Sequence, residues 1–229
     1  METKSALLIG ASGLVGGHCL QFLLEESSYT RVVALVRRPL SITHDKLAQY
    51  IVDFSELETL GECLTADDVY CCLGTTIKKA GTQEAFRKVD FDYPIKIAAL
   101  AQHCGANQFL IVTSLGADPH SRIFYNRVKG EVEEAIRKIS FITINIFHPS
   151  LLLGERTEHR IGEKAGAFIM SGLKYVLVGP LRKYRAIQAR DVAKAMVQVA
   201  QKNLKGVNIF DSSKFKKLQI RLDKILIHR

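Results

Sequence analysis

Ala6-Leu7-Leu8-Ile9, followed by Gly10-Ala11-Ser12-Gly13-Leu14-Val15-Gly16, is the stretch that decides the fold. Four consecutive apolar residues are typical of a buried strand, and three glycines then recur at every third position. The apolar residues that follow have helical spacing, and they are Leu14, Val15, Cys19, Leu20, Phe22 and Leu23. The stretch therefore predicts a strand, a tight glycine turn and the N-terminus of an amphipathic helix.

Such a turn directs unpaired backbone N–H groups and the positive end of the helix dipole outward. A pyrophosphate is the natural ligand of that surface, because a side chain at any of the three glycines would block close approach or helix–strand packing. The placement between a strand and a helix makes the signal strong, and the alternative is a glycine-rich loop without a ligand. The residues expected to contact the pyrophosphate are Gly10, Ser12, Gly13, Leu14, Val15 and Gly16.

Length and composition fit one domain over residues 1–229. The chain is 47% hydrophobic, which is enough for a sizeable α/β core. No apolar run approaches the ~18 residues that a membrane-spanning helix needs. The first apolar run is broken by glycines where a signal peptide would continue, so we expect a cytoplasmic protein that does not engage a membrane.

The five cysteines, an odd number, lack the spacing of metal ligands, and the histidines are scattered. Adjacent Cys71 and Cys72 on a strand would point to opposite faces of a sheet. We interpret the cysteines as small core residues in a reducing compartment and expect no metal site.

The net charge of +9 is concentrated at the C-terminus. Residues 202–229 hold eight Lys/Arg and two Asp, which gives +6 of the total. This placement favours a solvated basic tail over a nucleic-acid-binding surface. A protein partner that contacts the tail, residues 213–229, is the alternative role for these charges.

The second strand, Arg31–Val36, ends at Arg37-Arg38-Pro39. In dinucleotide-binding folds the tip of this strand meets the adenosine ribose, where a carboxylate binds the 2′-hydroxyl of NAD and an arginine accommodates the 2′-phosphate of NADP. Two arginines and no carboxylate therefore favour NADP. The alternative is a pair of solvated arginines before a turn-forming proline.

Two further strand ends carry candidate cofactor contacts. Gln49–Phe54 is predicted as the third strand, and its Asp53 and Phe54 fall where such folds bracket the adenine, although a capping Asp and a core-edge Phe explain them equally well. Asp68–Leu73 is predicted as the fourth strand. The glycine of Leu73-Gly74-Thr75-Thr76 would let a ribose lie against the backbone, and the threonine hydroxyls would hydrogen-bond it.

The fifth strand, Gln108–Val112, delivers Ser114, and Tyr125 and Lys129 follow at the start of a helix. Residues at i and i+4 share a helical face, so the phenol and the ammonium converge. A nearby cation favours tyrosinate and lowers a tyrosine pKa that starts near ~10, which makes proton exchange usable near neutrality. Ser114 would hold a substrate carbonyl or hydroxyl. The alternative is a surface Tyr and Lys without a catalytic role.

The sixth strand, Phe141–Phe147, continues into residues expected beside the nicotinamide ring, namely Pro149, Ser150, Leu151 and Leu152. Residues 150–190 are the stretch free to form part of a substrate pocket. A helix is predicted from Glu84 to Cys104, kinked or divided by Pro94. A helix over Val192–Gln201 and a last strand over Val207–Phe210 complete the pattern.

The glycine triplet, Arg37-Arg38, Ser114 and the Tyr125-x-x-x-Lys129 pattern together resemble the short-chain dehydrogenase/reductase superfamily, in its atypical or extended-like branch. Further segments narrow the resemblance to the Tat-interacting-protein oxidoreductases and their bacterial NAD(P)-binding or epimerase/dehydratase-like relatives. These segments are Cys72-Leu73-Gly74-Thr75-Thr76, Lys79-Ala80-Gly81, Val89-Asp90-Phe91-Asp92-Tyr93 and Ser114-Leu115-Gly116-Ala117-Asp118.

The resemblance covers roughly residues 5–212. It implies an α/β fold with a doubly wound parallel sheet, the Rossmann fold, and a small C-terminal segment that covers the substrate. It also implies NADPH in the glycine turn, with the cofactor reaching Tyr125 and Lys129, and a catalytic set of Ser114, Tyr125 and Lys129.

Two functions follow from this resemblance. The first is an NADPH-dependent oxidoreductase that transfers a hydride to or from a small carbonyl or hydroxyl substrate; reduction, oxidation and epimerisation share these steps. The alternative is an NADPH-sensing binding protein with little or no turnover, since the branch includes cofactor-dependent regulators. A monomer and a homodimer are both compatible with the sequence.

We expect calorimetric titration to give tighter binding of NADPH than of NADH. Removal of the charges at Arg37 and Arg38 should weaken NADPH binding by ~1–3 kcal/mol, the scale of hydrogen bonds to charged groups. Equal affinities for the two cofactors would contradict the role assigned to the arginine pair.

Overall fold

Seven parallel strands form one sheet in the computed structural model, which describes residues 3–57, 64–154, 185–202 and 204–212 together with Phe215. The strands are β1 (Lys4–Ile9), β2 (Tyr29–Val36), β3 (Leu47–Ile51), β4 (Asp68–Cys71), β5 (Gln108–Val112), β6 (Thr143–His148) and β9 (Gly206–Asp211). A separate short parallel pair joins β7 (Leu152–Leu153) to β8 (Ile187–Gln188).

The strand order is β3-β2-β1-β4-β5-β6-β9, with every neighbouring pair parallel. The chain runs outward from β1 to β3 on one side and then from β4 outward on the other, so the sheet is doubly wound. The direction of winding reverses between β1 and β4, and ligands of such sheets bind at the carboxyl ends of the strands at this reversal. The predicted fold class is confirmed.

Helices cover both faces of the sheet. They are α1 (Leu14–Glu25), α2 (Ile77–Ala80), α3 (Gln83–Arg87), α4 (Tyr93–His103), α5 (Phe124–Arg137) and α6 (Ala189–Ala200). Helices α1 and α6 pack on each other and on one face, where Ala6 and Leu8 of β1 point. Helices α4 and α5 cover the other face, where Leu7 and Ile9 point. The alternation arises because successive strand residues face opposite sides.

The cysteines follow the same alternation. Cys71 is buried in the core on the α4–α5 side, whereas Cys72 packs against the core on the α1–α6 side, where Cys19 also lies. Contact with the Cys19 thiol and burial raise the pKa of Cys72 well above its ordinary value. Cys19 and Cys71 are buried in the core, and Cys72 and Cys104 pack against it, which fits the interpretation of core residues; Cys63 lies outside the described part of the chain.

The helix predicted from Glu84 to Cys104 runs without a break in helical backbone over residues 83–103, and it contains a π-helical turn ahead of Pro94. Helix α3 ends at Arg87, a π-helical turn covers Lys88–Asp92, and α4 begins at Tyr93. Proline has no N–H to donate to the carbonyl four residues earlier, so a regular α-helix through Pro94 would lose that hydrogen bond. In the wider turn the N–H of Tyr93 donates to the carbonyl of Lys88, five residues earlier, and Asp90 of this turn is buried.

The third strand lies earlier than the sequence pattern indicates. It spans Leu47–Ile51 because its register is set by β2, in which Val32 pairs with Leu47 and Val36 with Ile51. Strand β2 ends at Val36, so Asp53 and Phe54 lie beyond the sheet. Strand β4 likewise ends at Cys71, where its pairing with β1 ends.

No helix among the described residues is both long and apolar enough to cross a bilayer. Residues 155–184 and 216–229 lie outside the described part of the chain. The substrate-covering segment, the basic tail and the single-domain organisation therefore stay predictions.

The glycine turn depends on contacts that exclude side chains. A Cβ atom at Gly10, whose φ is +86°, would lie 2.6 Å from the carbonyl oxygen of Cys72. A Cβ atom at Gly16 would lie 2.0 Å from the carbonyl oxygen of Gly10. At Gly17, one residue later, the nearest atom is the Ala11 carbonyl oxygen at 3.5 Å, which is ordinary van der Waals contact. The first helix is therefore held against the turn by Gly16 and not by Gly17.

Gly16→Ala should lower the free energy of unfolding by about 1–3 kcal/mol, because the added methyl group displaces backbone in a close-packed turn. Gly17→Ala is the matched control and should raise it by about 0.5–1 kcal/mol, since alanine replaces glycine inside a helix without a clash. Urea denaturation of both variants measures the two values. The same change in the free energy of unfolding for both variants, or no change for Gly16→Ala, would contradict the close approach of Gly16 to the Gly10 carbonyl.

Candidate active site

The predicted site residues meet at the edge of the sheet where the parallel strands end, which we call the carboxyl edge. Gly10 follows β1, Arg37 follows β2 and Cys72 follows β4, whereas Thr113 follows β5 and Pro149 follows β6. Parallel strands place all their carboxyl ends on one edge. The fold therefore brings together the ends of five strands that the sequence assigned to one site.

The glycine turn forms an open cradle at this edge. The N–H of Gly13 donates to the carbonyl of Gly10 at 2.9 Å, which closes the turn. Gly13 is the N-cap of α1, and it offers no side chain to the free N–H groups of the first helical turn. Ser12 and Gly13 are exposed. Outward-facing amides, a helix dipole and the absence of side chains suit a phosphate group.

Arg37 and Arg38 are both exposed where β2 ends. Among the residues that the structure describes, neither arginine has a carboxylate within ion-pair distance. Their guanidinium groups are therefore available to an anion near the tip of β2.

Asp53 and Phe54 serve the local structure. The carboxylate of Asp53 accepts hydrogen bonds from the N–H and hydroxyl of Ser55 at 2.8 and 2.7 Å, and these bonds hold the pKa of Asp53 below its ordinary value. Phe54 is buried, with its ring centroid 5.4 Å from that of Tyr93. An adenine contact by either residue stays a prediction.

A buried ion pair lies behind the end of β4. The Nζ atom of Lys129 is 2.7 Å from Oδ1 of Asp90, and the two side chains are 6% and 0% exposed. The second carboxylate oxygen, Oδ2, accepts the N–H of Thr75 at 2.9 Å. A Cβ atom at Gly74 would lie 3.9 Å from Lys129 Nζ, so the ammonium sits directly behind this exposed glycine.

The charge of Lys129 is maintained by its neighbours. Burial by itself lowers the pKa of the ammonium, but the charge of and contact with the Asp90 carboxylate outweigh that effect, and the pKa is raised above its ordinary value. Lys129 is therefore a cation at neutral pH although it is buried.

Thr76, in the loop that follows β4, caps α2 by accepting the N–H of Lys79.

Tyr125 lies one turn before Lys129 on α5, and its ring packs 5.6 Å from that of Phe86. The loop after Ser114 packs on this part of α5. The N–H of Asp118 donates to the carbonyl of Asn126 at 3.1 Å, and a Cβ atom at Gly130 would lie 2.1 Å from the backbone nitrogen of Pro119. This packing holds the chain that leaves β5 against the helix that carries Tyr125 and Lys129.

Ser114 is 9% exposed, and its Oγ atom has no hydrogen-bond partner among the described residues. A buried hydroxyl without a partner is unfavourable, and native structures rarely leave one unless a ligand or water completes it. The described residues therefore leave the buried Ser114 hydroxyl without a hydrogen bond.

The chain after β6 closes the site from the other side. The N–H of Leu115 donates to the carbonyl of Pro149 at 2.9 Å, which ties this chain to the one that carries Ser114. Ser150 binds the hydroxyl of Ser212 through its N–H, and its own hydroxyl donates to the carbonyl of Arg185. Leu151 is 50% exposed, and Leu152 packs against the α1–α6 core.

This segment also reaches the glycine turn. A Cβ atom at Gly154 would lie 2.8 Å from Cδ1 of Leu14, the first residue of α1. The chain that carries the predicted nicotinamide contacts therefore packs against the start of α1, beside the glycine turn.

A second buried carboxylate was missed by the sequence analysis. Glu133 lies one turn after Lys129 and accepts the hydroxyl of Thr113 at 2.6 Å. Its Oε1 atom is also 2.7 Å from Nε2 of His148, and Oε2 is 3.3 Å from Nη2 of Arg137. Glu133 thus joins α5 to the ends of β5 and β6. The spacing of four from Tyr125 to Lys129 to Glu133 was the signal that could have revealed it.

Asp90 was also missed as a site residue, although it belongs to a segment that carried the family resemblance. It lies four residues after Phe86 and seven before Ile97, on the buried face of this helical stretch, whereas Asp92 is exposed. That helical spacing was the signal that could have revealed it.

Comparisons with known proteins give the family of this chain. A family model described as NAD(P)H-binding matches residues 10–203. Protein HTATIP2 of Rattus norvegicus is 38% identical over 167 residues, which cover 71% of this chain and 69% of the relative. Protein FMP52, mitochondrial, of Candida albicans is 31% identical over 88% of this chain and 90% of its own length.

Solved structures share the fold at low identity. MoeE5 in complex with UDP-glucuronic acid and NAD has a TM-score of 0.68 and 18% identity, over 90% of this chain and 75% of that one. 4-Hydroxyisoleucine dehydrogenase complexed with NADH has a TM-score of 0.67 and 16% identity, over 91% of this chain and 97% of that one. The predicted resemblance to the Tat-interacting-protein oxidoreductases is confirmed, and the chain belongs to the NAD(P)H-binding family.

Proposed function

We propose that this protein is an NADPH-dependent oxidoreductase of the short-chain dehydrogenase/reductase type, acting on a small carbonyl or hydroxyl substrate. The observation that carries the proposal is the buried Ser114 hydroxyl. It lies in the chain that packs beside the helix of Tyr125 and Lys129, and it has no hydrogen-bond partner among the described residues. Membership of an NAD(P)H-binding family supports the cofactor class.

The residues present suit a dinucleotide. The glycine turn offers amides without obstructing side chains. Arg37 and Arg38 are exposed at the tip of β2, where a 2′-phosphate would lie, and two guanidinium groups favour NADPH over NADH. Gly74 leaves the Lys129 ammonium close to the surface, within reach of a ribose hydroxyl.

When bound, the reduced nicotinamide supplies the hydride. Ser114 would donate a hydrogen bond to the substrate oxygen and fix its position. Tyr125 would donate its phenolic proton to that oxygen as the carbonyl becomes an alcohol, and would accept the proton back in the oxidation direction. The Lys129 ammonium stabilises the tyrosinate that results, because opposite charges in a buried site interact strongly.

A small-molecule substrate is expected, and a monomer or homodimer is compatible with the fold. The cytoplasmic location stays a sequence-based prediction, since the FMP52 relatives carry the word mitochondrial in their names.

Tyr125→Phe should lower the rate of NADPH oxidation by a panel of small aldehydes and ketones by about 10²–10⁴-fold, the usual contribution of a positioned general acid. NADPH binding by calorimetry should change by no more than about tenfold, the value of one hydrogen bond. The absorbance of NADPH measures the rate.

The control is Tyr50→Phe on β3, a tyrosine whose hydroxyl bonds to none of the described residues. It should keep the wild-type rate. Equal rates for wild type and Tyr125→Phe would remove Tyr125 from the mechanism. Binding of NADPH without turnover of any substrate in the wild type would favour the cofactor-sensing function instead.

A further inference from the structure

Asp90 is a buried charge that the proposed reaction does not use. Its side chain is 0% exposed, and Lys129, at 2.7 Å, is 6% exposed. Burial of an isolated charge is costly, and a buried lysine without a counter-charge tends to lose its proton. The state of Lys129 therefore depends on the groups packed around it.

Three titratable groups face the Lys129 ammonium. Asp90 comes from the π-helical turn, Tyr125 from the preceding turn of α5, and Cys71 from the end of β4. Burial raises the pKa of the Cys71 thiol to about 12, so this thiol is neutral at physiological pH. A tyrosine hydroxyl is ordinarily neutral there as well. Asp90 is therefore the anion that balances Lys129.

The carboxylate of Asp90 also fixes where the ammonium lies. One of its oxygens contacts Lys129, and the other accepts the N–H of Thr75 at 2.9 Å. The side chain thus links α5 to the loop that follows β4. The exposed Gly74 lies against both partners, 3.6 Å from Asp90 Oδ1 and 3.9 Å from Lys129 Nζ when measured from an ideal Cβ position.

We propose that Asp90 is a positioning residue that keeps Lys129 as an ammonium ion in the interior and holds it behind Gly74, next to the cofactor ribose. The consequence for the cofactor rests on the proposed function, whereas the effect on Lys129 does not. Asp90 touches neither cofactor nor substrate and acts through Lys129.

The π-helical turn provides a matched pair of variants. Asp90→Asn removes the buried charge and keeps an oxygen that can accept the Thr75 N–H. Asp92→Asn removes the same charge from the same turn, two residues later, at an exposed position. The two substitutions change the net charge of the protein equally, so a difference between them reports the buried contact.

The first measurement is a pH titration of the lysine side chains by NMR in protein labelled with ¹³C at lysine Cε, with the Lys129 signal assigned from Lys129→Met. We expect the pKa of Lys129 to fall in Asp90→Asn and to stay at the wild-type value in Asp92→Asn. An unchanged Lys129 titration in Asp90→Asn would overturn the proposal.

The second measurement is the affinity for NADPH as a function of pH. Between about pH 7 and about pH 9, the Kd of Asp90→Asn should rise by about tenfold more than that of Asp92→Asn, because an ammonium that loses its proton loses a charged hydrogen bond to the ribose. If the Lys129 pKa falls while this Kd does not change, Asp90 holds the charge as proposed but Lys129 does not bind the cofactor, and the proposed function fails instead.

Stability separates the ion pair from simple packing, even if Asp90→Asn unfolds. The double variant Asp90→Asn with Lys129→Met leaves no unpaired charge, so its Tm should recover most of the loss caused by Asp90→Asn alone. A double variant as unstable as Asp90→Asn would assign the effect to the Thr75 contact and overturn the proposal.

Discussion

The structure depends on direct contacts between backbone segments that leave no room for side chains. At the reversal point of the sheet, Gly10 touches the carbonyl of Cys72, and Gly16 touches the carbonyl of Gly10. These contacts fix how close α1 comes to the end of β1 and where its first free amides point. The strand ends on both sides of the reversal then surround one surface, which is why residues far apart in sequence converge there.

A single face of α5 connects that surface to the sheet. Tyr125, Lys129 and Glu133 follow one another at intervals of four, and the last two are buried charges. Lys129 reaches the loop after β4 through Asp90, and Glu133 holds Thr113 and the end of β6. The helix therefore positions three strand ends through charged hydrogen bonds, which are shorter and stronger than neutral ones. Apolar packing alone would leave the relative positions of these loops less well defined.

The parts of the fold that apolar patterns decide were predictable from the sequence. Gln108–Val112 is a strand in the sequence prediction and in the structure, because each of its residues is buried and the run is continuous. The third strand shifted, since pairing with β2 sets its limits and its own residues are only partly buried.

The glycine turn was predictable from its motif, and it lies between β1 and α1; the roles assigned to this turn and to Ser114 stay predictions. The buried carboxylates were not predicted. Asp90 and Asp92 stand in one π-helical turn ahead of Pro94, and only Asp90 shares the buried face of Phe86 and Ile97. Glu133 lies next to Glu134 and close to Glu131, as is typical of an exposed helix face, and only its spacing of four from Lys129 indicates that it faces inward, where it contacts Thr113 and His148.

The packing of α1 on α6 has a consequence for how the protein is made. Leu20 and Leu23 of α1 belong to the same core as Met196 of α6, so α1 meets this partner only after the intervening strands have been synthesised. Until then the nascent chain emerges from the ribosome with an apolar helical face uncovered, and such surfaces attract chaperones and other unfinished chains. The long loop that this contact closes also makes it one of the slower steps of folding.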